Sequence, residues 1–224
     1  MKTKKTNILW GEIKATLKLA IPLITALLSQ IAMEFVDTLM LGRLGPNALA
    51  AGGFGSAFFI TLFVLCLGIM IAIGTCVAHA YGGKQYYEVS HLGRQGMWLV
   101  LFLAIPCMLI LWFTPQILTL LKHNRDVVNN TSLYIHGLLW AFLPALGFLT
   151  LREFISALSR PQMVMIITFI AIPLNALCNY ILMYGKWGFP NLGVQGIGIA
   201  TSFVQTLMLV ALILFVHNSR HFRH

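Results

Sequence analysis

The segment MEFVDTLMLG, Met33 to Gly42, puts two carboxylates where little else is polar. Glu34 and Asp37 follow the uncharged stretch 19–33 and precede the run 44–83, which contains no Asp, Glu, Lys or Arg. In water, acids on a helix are ordinary. Within a membrane span each costs at least about 2.5–3.5 kcal/mol on insertion scales, so it should face protein or water. The two are three residues apart and share one helix face. Taking a span from Leu19 to Leu41, Asp37 lies about ten ångström outside its middle at 1.5 Å rise per residue. Two readings stay open: both acids sit in the outer headgroup region, or Asp37 is a buried site that binds a proton or a cation.

A second constellation is IPLNALCNYILMYG, Ile172 to Gly185. Asn175 and Asn179 are four apart on one face, and Pro173 removes a backbone bond and frees the carbonyl near Phe169 beside them. Such a pair makes either a polar pocket or helix-to-helix glue. A third is GVQGIGIATS, Gly193 to Ser202, where the glycines suit close packing and Thr201 offers a hydroxyl to a polar neighbour. Arg152 and Glu153, with Arg160 after them, read as an ion-paired charge cluster at the end of a span. Met33, Met40, Met70, Phe58, Phe59 and Phe63 face lipid or bundle, or line a greasy cavity.

Cys66, Cys76, Cys107 and Cys178 fall in apolar runs without C-x-x-C spacing and are expected as buried small hydrophobes. The seven histidines show no ligand spacing, and His217, His221 and His224 lie in a basic tail. No nucleotide loop, H-E-x-x-H or G-x-S-x-G is present, so the chain is not expected to be an enzyme.

The elements that must hold these residues follow from charge patterning. Only 9% of the 224 residues are charged, against about a quarter in an ordinary soluble protein, and 58% are hydrophobic. Charge is absent from 44–83, 95–121, 127–151, 161–185 and 187–219. Each run is long enough for a helix across about 30 Å of hydrocarbon. With the span that holds the two acids, this predicts an all-α integral membrane protein with six transmembrane helices, because lipid leaves backbone groups no other partners. The expected spans are about 19–41, 47–80, 94–121, 131–157, 161–184 and 193–217, after a basic N-terminus 1–18 and before a basic tail 218–224. The first span has no clear cleavage site and is expected to be retained. A polar connection is expected over 84–93 and an outer loop from Lys122 to Asn130.

The net charge of +9 raises the question of nucleic acid, but its distribution argues for orientation instead. With the N-terminus in the cytoplasm, that side carries Lys2, Lys4, Lys5, Lys14, Lys18, Lys84, Arg94, Arg152, Arg160, Arg220 and Arg223. The other side carries Arg43, Lys122, Arg125 and Lys186. The bias predicts a multi-pass membrane protein with both termini inside, in contact with lipid and not with nucleic acid.

FVDTLMLGRLGPNALAA, LREFISALSRPQMVM and IPLNALCNYILMYGKWGFPNLGVQGIGIAT, in that order, resemble the multidrug and toxic compound extrusion (MATE) family, in its NorM-like bacterial branch. The resemblance implies a twelve-helix antiporter whose two six-helix lobes form a V and expel organic-cation drugs in exchange for protons or sodium, with no other cofactor. This chain matches the N-terminal lobe, and the bacterial branch implies a multi-pass protein of the bacterial plasma (inner) membrane. The resemblance puts Asp37 at the family's first-helix acid, which takes a proton or in some members sodium, with Asn175, Asn179 and Thr201 as the polar groups around it. It gives Glu34 no role beyond cavity lining. Where some members carry an aspartate this chain has Asn179, and where some archaeal members carry a tyrosine it has Met33. The resemblance also implies a bend in the first helix, near Pro22. A second lobe would come from a homodimer or from a separate C-terminal lobe. The alternatives are a truncated, non-transporting membrane fragment or partner subunit and, ranked lower for want of Lys or Arg in the apolar runs, a lipid-linked flippase.

Overall fold

The computed structural model describes the backbone of residues 2–122, 124–158 and 161–218, with side chains from residue 13 onward apart from residue 15. The expectations for the side chains of Lys2, Lys4 and Lys5, for Arg160 and for the tail 219–224 lie outside the described residues.

The chain folds as α1 (Lys2–Arg43), α2 (Pro46–Gly82), α3 (Tyr86–Trp112), α4 (Thr114–Leu120), α5 (Arg125–Leu138), α6 (Phe142–Ala157), α7 (Gln162–Tyr184) and α8 (Gly193–Asn218). A short 3-10 turn, Leu139–Ala141, joins α5 to α6. Among the described residues, six passes are long and apolar enough to cross a membrane: Thr16–Arg43, Pro46–Gly82, Tyr86–Leu120, Arg125–Ala157, Gln162–Tyr184 and Gly193–Asn218. The protein is a helical, multi-pass membrane protein.

Local chemistry explains where the passes depart from the charge-free runs. The expected connection 84–93 is mostly helix. Gly83 N–H closes α2 onto His79 O, Lys84 turns the chain at φ 58, and α3 starts at Tyr86. Glu88 in the first turn of α3 suits the positive end of its dipole. The expected loop from Lys122 to Asn130 is likewise shortened, because Asn124 caps α5 by accepting the Asp126 N–H at 3.0 Å. Pro144 in the first turn of α6 has no N–H for the carbonyl of Trp140, and the helix tightens to 3-10 immediately before it. Pro22, Pro106 and Pro173 lie inside continuous helices.

The fourth pass, α5 with α6, is the axle of the bundle. Its most apolar window is 78% buried, against 22–28% for the other five passes. On one side it packs against α2 and α3, and on the other against α8, with α7 and then α1 beyond. Phe142 meets the edges of Phe59 and Phe63, with ring centroids 5.2 and 6.4 Å apart. The seam between α5 and α8 is built from small residues. A β-carbon on Gly198 would sit 2.5 Å from Tyr134 O, and one on Gly137 2.7 Å from Gln195 O. Ser202 Oγ donates across the same seam to Gly137 O at 2.6 Å. About half a turn round α8 from Gly198, a β-carbon on Gly196 would lie 2.8 Å from Leu182 O of α7. The glycine-rich stretch before Thr201 therefore brings α8 against α5 and α7 at backbone contact.

Candidate functional site

Asp37 lies on α1 where that helix crosses α7 and α8, and it is 7% exposed. Asn179 of α7 donates from Nδ2 to Asp37 Oδ1 at 2.6 Å, and Thr201 of α8 donates from Oγ1 to Oδ2 at 3.0 Å. Asn179 Nδ2 also reaches Asn175 Oδ1 at 3.1 Å. The spacing of four puts both asparagines on the α7 face that α1 covers, and both are buried. Thr201 Oγ1 lies equally close to Ile197 O, at 3.0 Å, so its single proton has two acceptors. Asn179 Oδ1 is buried with no hydrogen-bond partner among the described residues.

The acid borders a partly open hollow of about 190 Å³ between α1, α2, α5, α7 and α8. Asp37, Asn175 and Thr201 line it, and so does Glu34, whose side chain stays exposed. Asn179 is fully buried. The two acids thus share a helix face but not an environment. Met33 and Phe59 give the hollow an apolar wall, whereas Met70 lies in the core and accepts the Thr150 hydroxyl at 2.9 Å.

Two groups of this hollow escaped the sequence reading. Tyr134 Oη and Ser56 Oγ are 3.2 Å apart across α5 and α2, and both line it. Gly55 makes room for the tyrosine ring, since a β-carbon there would lie 2.5 Å from its Cδ1. Nothing in the pattern marks them, because single Ser and Tyr residues are common in spans. Gln30 is the other link. It lines the hollow and accepts from Arg152 Nη1 at 3.4 Å, while Arg152 Nη2 donates to Glu153 Oε1 at 2.8 Å. The charge cluster expected at the end of the fourth pass is therefore an almost buried ion pair that also touches α1.

The cysteines are free, with Cys66 buried, Cys107 and Cys178 half-buried and Cys76 exposed, so Cys76 departs from the buried expectation. It lies on a face of α2 that the bundle leaves uncovered. The Cys66 and Cys107 sulfurs are 3.7 Å apart.

Chemically, the cluster is one buried carboxylate held by neutral oxygen- and nitrogen-bearing side chains. Such a group can exchange a proton, or its oxygens can gather around a hard cation. The residues fit either ion without a further ligand type.

Comparison with known proteins agrees with this architecture. A probable multidrug resistance protein NorM from Mesorhizobium japonicum is 38% identical over 218 residues, covering 96% of this chain and 47% of that protein. The crystal structure of the eukaryotic MATE transporter AtDTX14 superposes with a TM-score of 0.86 at 21% identity, over 95% of this chain and 47% of the other, which establishes a shared fold. The MATE transporter NorM-NG, solved in complex with a monobody, matches with a TM-score of 0.73 at 33% identity, over 92% and 45%. The chain spans about half the length of the curated relatives it matches. A family model described as MatE matches residues 22–181, and with it the chain belongs to the MatE family of membrane transporters.

Proposed function

We propose that this chain is one six-helix lobe of a multidrug efflux antiporter, exporting organic cations in exchange for protons or sodium. One observation carries the reading: a buried carboxylate, Asp37, held by Asn179 and Thr201 at the wall of a hollow between the helices. A span tolerates such a charge only where it has work and partners.

The geometry supplies a coupling step. A proton on either Asp37 oxygen adds a donor there and removes the charge that strengthened its bonds, so the bond from Asn179 or Thr201 to that oxygen weakens. The unpartnered Asn179 Oδ1 offers the new donor an acceptor once the amide turns over. Sodium would instead draw together the oxygens of Asp37, Asn175, Asn179 and Thr201. Either event changes how α1 sits on α7 and α8, and with it the hollow between them. The named relatives are multidrug resistance proteins, which supports organic cations as cargo. The charge bias supports a plasma-membrane protein with both termini in the cytoplasm.

Because the relatives are about twice as long, a second six-helix lobe is expected to complete the transport path, from a second copy of this chain or from a separate C-terminal lobe. Six passes return the chain to its starting side, so a second lobe would sit parallel to the first.

The test is reconstitution of the purified chain in liposomes, with an organic-cation dye followed after a proton or sodium gradient is imposed. Transport lost in Asp37→Asn supports coupling through this acid, and undiminished transport by a folded variant overturns it. Transport appearing only when a C-terminal lobe is supplied identifies a partner subunit. No transport in any arrangement identifies a non-transporting fragment.

A further inference from the structure

Away from the acid, the end of the bundle where α2 hands over to α3 holds a second recess. It measures about 790 Å³ and lies between α3 and the ends of α6 and α8. On α3 its wall is Tyr86, Val89, Ser90, Gly93, Arg94 and Met97, spaced at three and four and therefore one helix face. Glu88 falls off that face, so no carboxylate of α3 looks into the recess. Arg94 is exposed and has no ion-pair partner among the described residues. Lys84 adds a second cation in the turn between Tyr81 and Tyr86.

Arg94 and Met97 also border an adjoining, smaller hollow of about 250 Å³ that is otherwise apolar, walled by Leu101, Leu143 and Leu209. The arginine thus stands at the junction of a wide recess and an apolar slot running toward the bundle middle. Residue types typical of a membrane interface surround it. Tyr81 and Tyr86 stack edge to face beside it, and Trp98, 69% exposed, lies one turn further on. Beyond Trp98 the outer surface of α3 is Phe102 and Ile105, 77% and 62% exposed, a face suited to lipid.

We propose that this recess binds an anionic phospholipid of the surrounding bilayer, its phosphate on Arg94 and one acyl chain in the slot beside Met97 and Leu101. Guanidinium and phosphate match as a bidentate, charge-assisted pair. Seven residues of helix between Arg94 and Leu101 give about 10 Å of depth for the upper part of a chain. The unopposed positive charge selects an anionic headgroup over a zwitterionic one.

Native mass spectrometry of the detergent-solubilised full chain tests this with phosphatidylglycerol and phosphatidylcholine as probes. Wild type and Arg94→Lys should retain phosphatidylglycerol in preference to phosphatidylcholine. Arg94→Gln should bind phosphatidylglycerol about tenfold more weakly, the scale of one lost charge-assisted contact. Arg43→Gln, at the opposite end of the bundle, should leave binding unchanged, and a thermal melt of each variant separates site loss from unfolding. Equal retention of phosphatidylglycerol by folded Arg94→Gln overturns the site. So does equal retention of the two lipids by wild type, or loss with Arg43→Gln as large as with Arg94→Gln.

Discussion

Asn179→Ala removes the donor nearest Asp37, and its cost depends on whether that acid is charged. The 2.6 Å bond to a carboxylate is of the charge-assisted kind, worth about 1.5–3 kcal/mol. With Asp37→Asn in place the same amide donates to a neutral carbonyl, and neutral side-chain bonds inside membrane bundles average about 0.6 kcal/mol. The truncation also opens a small void and strips the donor from Asn175 Oδ1, but both effects are common to the two backgrounds and cancel in the cycle. The expected coupling energy is about 1–2 kcal/mol, with Asn179→Ala costing more when Asp37 is present. Reversible unfolding in mixed micelles, followed by loss of helical circular dichroism, measures all four corners. Equal costs in the two backgrounds, within the roughly 0.3–0.5 kcal/mol scatter of additive pairs, would refute the charge-assisted contact.

Gly198→Ala should lower unfolding stability by about 1–3 kcal/mol, since its new β-carbon meets the backbone of α5 at 2.5 Å and no rotamer can relieve it; thermal denaturation checks this against Gly53→Ala, where nothing lies within 4 Å. Glu153→Gln leaves the Arg152 guanidinium, 10% exposed, facing neutral amide oxygens in place of a carboxylate and should cost about 1–3 kcal/mol. Arg152→Gln together with Glu153→Gln should recover part of that loss in the same unfolding assay, because no unpaired buried charge remains.

The six passes are legible in the sequence because, Glu34 and Asp37 apart, long charge-free runs separate short charged segments. The breaks within passes are less so: the 3-10 turn before Pro144 and the interruption at Phe113 lie in runs with no change of composition. Asp37, Asn175 and Asn179 stand out because polar groups are rare among their neighbours. Their meeting is a matter of packing, with 142 positions separating Asp37 from Asn179, and only the family resemblance anticipated it. Tyr134, Ser56 and Gln30 carried no signal, since each is an ordinary side chain whose place on the hollow depends on which helices become neighbours. The polar start of α3 was hidden for the opposite reason. Its residues read as a connection by composition, while Glu88 and the turn at Lys84 make them helix.

The glycine seam gives the bundle an internal frame of reference. With α8 in backbone contact with α5 through Gly137 and Gly198, and with α7 through Gly196, these three elements have no clearance to slide. The buried acid Asp37 is carried by α1, which none of these glycines ties to the frame. Spectroscopic labels on α5 and α8 are therefore expected to keep a constant separation, so the displacement of a label on α1 can be measured against both.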